Sequence, residues 1–247
     1  MTLKLTRRSL VLGATVAVTA RRTPELSDGQ TIWLGDAEHV ATDIVAPARD
    51  APGHELSVAA LRAIMALPFT EDTGAAGAPD RWGRKTGPIS LVTRGGAVSS
   101  VQAELVRRGA ARVSPQSDDF AFIDALFALE DGARELKRGL WALPAYRVNP
   151  AKDTTRKTGF QIYDGVIREA QTRDGRVYFN FGADYRTDFT VTVRATAQKK
   201  WRSGLAPTDY AGKRVQIRGE ALWINGPSIE LRHELQMRTK SPAEAGP

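Results

Sequence analysis

The spacing of apolar residues changes part-way along the chain. From residue 57 to residue 140 they recur every three or four positions, which predicts amphipathic helices over residues 57–67, 98–108 and 119–140. Beyond residue 158 they alternate with polar residues, which is typical of strands buried on one face. The pattern therefore predicts an α+β domain followed by a mostly β domain.

The second half carries the turn signals of a small barrel. Asp174-Gly175 and Asn225-Gly226 favour two-residue hairpin turns, and a short helix is predicted around residues 198–204. The alternating apolar residues form five groups: Phe160 and Ile162; Val177, Phe179 and Phe181; Phe189, Val191 and Val193; Val215 and Ile217; Ile229 and Leu231. Five short strands with one helix between them indicate an OB-type β-barrel.

These patterns divide the chain into five segments. They are a signal peptide over residues 1–20, a helix-containing domain over 21–147, a linker over 148–157, an OB-like β-barrel domain over 158–240 and a tail over 241–247. The linker is indicated by Asn149-Pro150 and by the polar residues that follow it.

The first twenty residues predict export. Lys4, Arg7 and Arg8 precede a short apolar stretch and a small-residue cleavage site at Val18-Thr19-Ala20. Residues 6–12 resemble a twin-arginine signal, which implies a periplasmic or extracellular protein. The alternative is an uncleaved anchor, although the apolar stretch is too short to span a bilayer.

Composition narrows the chemistry. The 247 residues include no cysteine, which excludes disulfides and zinc–cysteine sites. The three histidines, His39, His54 and His233, lack the spacing of a zinc hydrolase. The net charge of +7 falls to +4 once the three cations of the first twenty residues are removed. This mild basicity permits binding to a phosphate polymer but does not require it.

Residues 26–143 resemble the thermonuclease (staphylococcal-nuclease-like) family. Asp28-Gly29-Gln30-Thr31 is similar to the Asp-Gly-Asp-Thr of the family, and Asp80-Arg81-Trp82-Gly83-Arg84 is similar to its Asp-x-Tyr-Gly-Arg. Residues 101–113 and Gly139-Leu140-Trp141 extend the match. The resemblance implies that residues 21–147 form an OB-type β-barrel with packed helices, followed by a second, OB-like barrel.

The same resemblance implies that most of the nuclease active site is lost. The family holds one calcium ion with carboxylates, activates water with a glutamate and stabilises the phosphorus oxygens with two arginines. The residues here are Gln30 and Val45 for the metal ligands, Ala48 for the base and Val40 for one arginine. Only Arg84 and the auxiliary Asp28 remain. Since each lost group removes about 10²–10⁴-fold in rate, we expect little cleavage and no cofactor.

A relocated metal site is the alternative. Asp43 lies two residues before the lost metal ligand, on the same face of a strand and about 6.6 Å away. Together with Asp28 and Asp50 it would hold calcium, and His39 would replace the missing arginine. The chain would then be an active calcium-dependent phosphodiesterase. The competing interpretation is three solvated carboxylates.

The barrels also offer candidates for nucleic-acid contact, because OB barrels bind single strands by stacking bases on aromatic rings beside a cationic groove. The candidates are Arg84, the aromatic residues Tyr178, Tyr185, Trp201 and Trp223, and the cations Arg186, Arg194, Lys199, Lys200, Arg202, Arg214 and Arg218. The competing interpretation is that the aromatic residues complete a core and the charges form a solvated rim.

The leading hypothesis is an exported, catalytically impaired nuclease homologue that binds single-stranded nucleic acid or an envelope protein. The phosphodiesterase and a purely structural protein-interaction module are the alternatives.

Overall fold

The computed structural model describes residue 26 and residues 28–34, 37–67, 79–92, 98–184 and 186–239. The predicted signal peptide, Tyr185 and the predicted tail lie outside these residues. Within the described part of the chain, no helix is long and apolar enough to cross a membrane.

The described residues of the first domain form short strands and three α-helices. Its described strands are β1 (Thr31–Leu34), β2 (Ala37–Ala41), β3 (Ile44–Val45), β4 (Lys85–Gly87), β5 (Ser90–Val92), β6 (Val98–Ser100) and β7 (Arg112–Val113). Its helices are α1 (His54–Met65), α2 (Val101–Arg107) and α3 (Phe120–Glu135). β1 pairs with β2, which runs parallel to β4, while β3 pairs with β7 and β5 pairs with β6.

All three predicted helices are present, with boundaries that capping residues explain. Ser100 and Asp119 accept hydrogen bonds from backbone N–H groups in the first turns of α2 and α3. α3 ends at Glu135, earlier than the apolar spacing predicts, and the chain continues in a 3₁₀ turn over Gly139–Ala142. The apolar faces of the helices bury one core with β1 and β2, which includes Ile32, Leu61, Leu105, Leu126 and Phe127.

The second domain is a curled sheet. Its elements are β8 (Asn149–Pro150), β9 (Gly159–Val166), β10 (Glu169–Arg173), β11 (Arg176–Asn180), β12 (Thr190–Arg194), α4 (Ala195–Gln198), β13 (Arg214–Trp223), β14 (Pro227–Leu231) and β15 (Met237–Thr239). The strand order is β10-β11-β12-β14-β13-β9-β8, with β12 parallel to β14. β10 lies at one end of this order, and β9, which precedes it directly in the chain, lies next to the other end, so the sheet curls into a half-barrel.

The local signals of this domain are confirmed. β10 and β11 form a two-residue hairpin across Asp174-Gly175, and β13 and β14 form a hairpin of three connecting residues, 224–226, which include Asn225-Gly226. The short helix lies at α4, slightly before the predicted position. The segment predicted as a linker contributes β8, which pairs with Tyr163 and Asp164 of β9. It is therefore part of the second sheet.

The two domains share a small apolar core. Leu140, Trp141 and Tyr146 from the end of the first domain bury their side chains with Phe160 and Ile162 of β9. The guanidinium of Arg112 in β7 lies over the rings of Tyr146 and Phe160, at 4.7 and 4.8 Å from their centroids. Burial lowers the pKa of Arg112 to about 10, against the attraction of Tyr146 and Glu130.

A buried ion pair crosses the same interface. Glu130 of α3 and Arg218 of β13 lie 2.8 Å apart, with both side chains 0% exposed. Arg218 also donates to the carbonyl of Val113, and Glu130 accepts from the N–H of Val113 and from Arg134. Burial alone would raise the pKa of Glu130, but the nearby guanidiniums hold it below its ordinary value. The ion pair therefore stays charged and joins the second barrel to α3.

Candidate nucleic-acid interface

The four positions at which the resemblance predicts a lost nuclease group, Gln30, Val40, Val45 and Ala48, lie around β1, β2 and β3 and carry no carboxylate. The side-chain oxygen of Gln30 accepts a hydrogen bond of 2.7 Å from the backbone N–H of Ala46. Val40 lies in β2 and Val45 in β3, while Ala48 is exposed in the loop before α1. The amide of Gln30 thus serves to join two backbone segments, and no side chain at these four positions can take a proton from water.

The carboxylate of Asp28 accepts hydrogen bonds from residues of the turn in which it lies. One oxygen accepts from the backbone N–H groups of Gln30 and Thr31, at 2.8 and 2.6 Å. The other oxygen accepts from the hydroxyl of Thr31 at 3.1 Å. This local pattern orders the entry to β1, which is the usual role of an aspartate at the start of a turn.

Asp43 has a structural role of the same kind. It lies in the turn between β2 and β3 with a φ of 64°, and its side chain is 1% exposed. Its carboxylate accepts from the backbone N–H groups of Gln116 and Ser117 at 2.7 and 2.8 Å, which fixes the loop before α3. Asp50 is exposed, and His39 is buried in β2. Among the described residues, no three potential metal ligands lie together.

Arg84 belongs to a compact turn that Asp80 organises. One oxygen of Asp80 accepts from the N–H groups of Trp82 and Arg84, and the other accepts from Arg84 Nε at 2.8 Å. Gly83 adopts a φ of 78°, which suits glycine and closes the turn. The hydrogen bonds from Arg84 and Trp82 lower the pKa of Asp80 despite some desolvation. The turn is therefore ordered before any ligand arrives.

The same turn exposes an aromatic ring between two cations. The Trp82 residue is 63% exposed. The guanidinium carbons of Arg81 and Arg84 lie 3.9 and 4.9 Å from the centroid of its ring. Neither Arg81 nor Trp82 was a candidate from the sequence, although both stand inside the Asp-x-Trp-Gly-Arg motif. The exposed ring in place of the tyrosine of the family pattern was the signal that could have found them.

The candidates in the second barrel do not form one groove. Arg218 is completely buried in the domain interface and cannot contact a nucleic acid. Its prediction as a nucleic-acid-binding residue is therefore wrong. Arg214 pairs with Asp164 of β9 at 2.7 Å. Trp201 packs against the core of the barrel, where its ring stacks on Phe179. Each of these three residues thus has a partner within the protein.

Two of the exposed candidates lie near the ends of β12. Arg186 lies in the loop between β11 and β12, and Arg194 ends β12. The register brings Arg194 opposite Arg176, and Arg176 opposite Arg173, two arginines that the sequence did not single out. Tyr178 of β11 lies on the same outer face. The hairpin signal at Asp174-Gly175 could have grouped Arg173, Arg176 and Tyr178, whereas only the strand register adds Arg194.

Residues 62–143 match the family described as staphylococcal nuclease homologue. No curated protein matches the chain. The matched segment contains the turn over residues 80–84 and ends at the domain interface, while Gln30, Val40, Val45 and Ala48 precede it.

Proposed function

We propose that this chain, which carries a staphylococcal-nuclease-like domain over residues 62–143 and then a mostly β half-barrel, holds nucleic acid without cleaving it. The observation that carries the proposal is the cation–aromatic turn of Arg81, Trp82 and Arg84. It lies within the matched segment and is the most exposed aromatic site among the described residues.

The turn has the chemistry of a nucleotide contact. A guanidinium placed over an indole ring still has N–H groups at its edge, and these can donate two parallel hydrogen bonds to a phosphate. Indole and guanidinium planes both stack on unpaired bases. Asp80 holds Arg84 in place beforehand, which reduces the entropy lost when a ligand binds.

Cleavage would need groups that the chain does not supply at the expected positions. Phosphodiester hydrolysis in this family requires a bound cation and a general base, and Gln30, Val45 and Ala48 provide neither. The carboxylates of Asp28 and Asp43 already accept backbone hydrogen bonds. The proposed role is therefore binding, and the twin-arginine pattern at residues 6–12 supports the proposal that it takes place in the periplasm or outside the cell.

The test is the binding of a fluorescein-labelled oligo(dT) strand, followed by anisotropy at low and moderate salt. We expect binding that weakens steeply with salt, because each phosphate contact releases counterions. Trp82→Ala should weaken binding by about 1–3 kcal/mol, the range for a stacked base. Arg81→Gln should lower the slope of log affinity against log salt by about 0.7.

The matched control is Arg62→Gln, which removes one exposed charge from α1 in the same domain and should leave the affinity unchanged. Binding that is equal in the wild type, Trp82→Ala and Arg81→Gln would remove the turn from the interface. No binding even at low salt, where attraction is least screened, would refute the proposed function.

A specific observation favours a second candidate function, protein interaction. Leu222, Trp223 and Ile224 at the β13–β14 hairpin are 51%, 41% and 62% exposed. Three consecutive exposed apolar residues are unusual, since a strand normally turns every second one inward. If the protein fails to bind the oligonucleotide, protein interaction through this hairpin becomes the leading candidate function.

A further inference from the structure

Three arginines stand side by side on the outer face of the half-barrel. Arg173 of β10 lies opposite Arg176 of β11, and Arg176 lies opposite Arg194 of β12. Val177 and Val193, the next residues along β11 and back along β12, are buried in the core, so the arginines face outward. Because neighbouring strands are about 4.8 Å apart, the row spans about 10 Å of backbone.

The row does not favour the stability of the sheet. Like charges directly opposite one another on adjacent strands are destabilising. Arg176 is compensated by Glu230 at 2.8 Å in a half-buried ion pair, and Arg173 is compensated only weakly by Asp174 at 3.2 Å, because that pair is exposed. Arg194 has no ion-pair partner among the described residues. A bound polyanion would supply the compensating charge that the fold leaves out.

An aromatic ring stands beside the row. Tyr178 lies two residues after Arg176 on the same face of β11, about 6.6 Å farther along the strand. Its cross-strand neighbours are Gln171 and Thr192, which are polar and not aromatic. Phe179, by contrast, is buried in the core. Tyr178 is therefore the ring on this face that a flat ligand can reach next to the arginines.

Further cations lie at the same end of the barrel. α4 begins where β12 ends, and the N–H of Ala195 bonds to the carbonyl of Gly175 in the β10–β11 turn. Lys199 and Lys200 follow α4 directly and are exposed. The end of the barrel that carries the arginine row thus has two more positive charges beside it.

We infer that this outer face is a second site for nucleic acid, specific for single strands. The arginines contact consecutive phosphates, and Tyr178 stacks on a base, which must be unpaired for its face to be reachable. The inference rests on the ligand class of the proposed function but uses residues of the other domain. Removal of either site therefore leaves the other one to be measured.

The test compares Arg194→Gln and Tyr178→Leu with the wild type, using labelled oligo(dT) and a DNA duplex of the same length as probes. Arg194→Gln should lower the salt slope for oligo(dT) by about 0.7, and Tyr178→Leu should weaken oligo(dT) binding about five- to hundredfold. Tyr178→Leu should change duplex binding little. The melting temperature of Arg194→Gln should be unchanged or higher, because a like-charge pair is removed.

Two controls separate this site from general charge. Arg194→Lys keeps the charge and should keep the salt slope, while Arg168→Gln removes an exposed charge at the far end of β10 and β11 and should change nothing. Normal oligo(dT) binding and an unchanged slope in both test variants would overturn the inference. Loss of binding in Trp82→Ala alone would support the proposed function and contradict the second site. Loss of binding in Tyr178→Leu alone would support the second site and contradict the role proposed for the turn at Trp82.

Discussion

Arg84 and Arg218 were equal candidates in the sequence, but the structure gives them opposite environments. Arg84 lies in a surface turn beside the exposed ring of Trp82, with Asp80 as its partner. Arg218 is 0% exposed and pairs with Glu130 across the domain interface. The comparison shows that the location of the carboxylate partner decides the role of each arginine. Asp80 lies in the same surface turn as Arg84 and leaves its guanidinium accessible to a ligand, whereas Glu130 lies in the other domain and holds Arg218 inside the interface.

The two ion pairs also differ in what they contribute to stability. The Arg84–Asp80 pair lies at the surface with side chains 29% and 18% exposed, and it gains less stability because water screens part of the attraction and the side chains lose freedom. Removing one partner of a buried pair strongly destabilises the fold, because the other charge stays buried with neither a counter-charge nor water. The surface turn can therefore be altered with mainly functional effects, whereas changes at the interface should be seen first in stability.

The largest expected effect follows from removing Glu130. Glu130→Ala should lower the free energy of unfolding by about 3–5 kcal/mol, because Arg218 is left charged and buried. Urea unfolding followed by circular dichroism measures this change. The double variant Glu130→Ala with Arg218→Met should recover part of the loss.

An exposed pair provides the matched control. Asp174→Ala removes the partner of Arg173, whose side chain is 76% exposed, and should cost at most about 1 kcal/mol. If Glu130→Ala costs no more than Asp174→Ala, then the interface does not depend on the buried pair and the contrast between the two regions fails.

A smaller effect is expected at Trp201, which sharpens the distinction between core and surface aromatic residues. Its ring lies 6.5 Å from Phe179 and 6.0 Å from Tyr210, centroid to centroid, and is only partly buried. Trp201→Ala should therefore cost about 3 kcal/mol, the lower limit for a large buried aromatic, and leave oligonucleotide affinity unchanged. Thermal melting and anisotropy on the same samples test this. Lower affinity at an unchanged melting temperature would show instead that the ring stacks on a base.

Local features of the fold were predictable because short-range rules determine them. The apolar spacing located α1, α2 and α3, and the turn dipeptides located both hairpins of the half-barrel. The resemblance in the motif over residues 80–84 agrees with the family match. Each of these signals lies within a few residues of the structure it predicts.

The functional surfaces depended on contacts between distant residues. Asp43 looked like a relocated metal ligand, but its carboxylate bonds to Gln116 and Ser117, more than 70 positions later. Arg218 is buried because Glu130 stands 88 positions away in sequence and beside it in space. The hairpin turn at Asp174-Gly175 sets Arg173 opposite Arg176, but Arg194 joins the row only through the pairing of β11 with β12. No periodicity or turn signal contains these contacts between distant segments.

The most direct test of the central claim, binding without cleavage, is a time course of one end-labelled single strand incubated with the protein and millimolar calcium. The strand is resolved in parallel on native and denaturing gels. We expect the native gel to show a retarded complex and the denaturing gel to show a strand of unchanged length at every time. Calcium-dependent shortening of the strand would contradict the claim and would mean that the chain retains a working nuclease site.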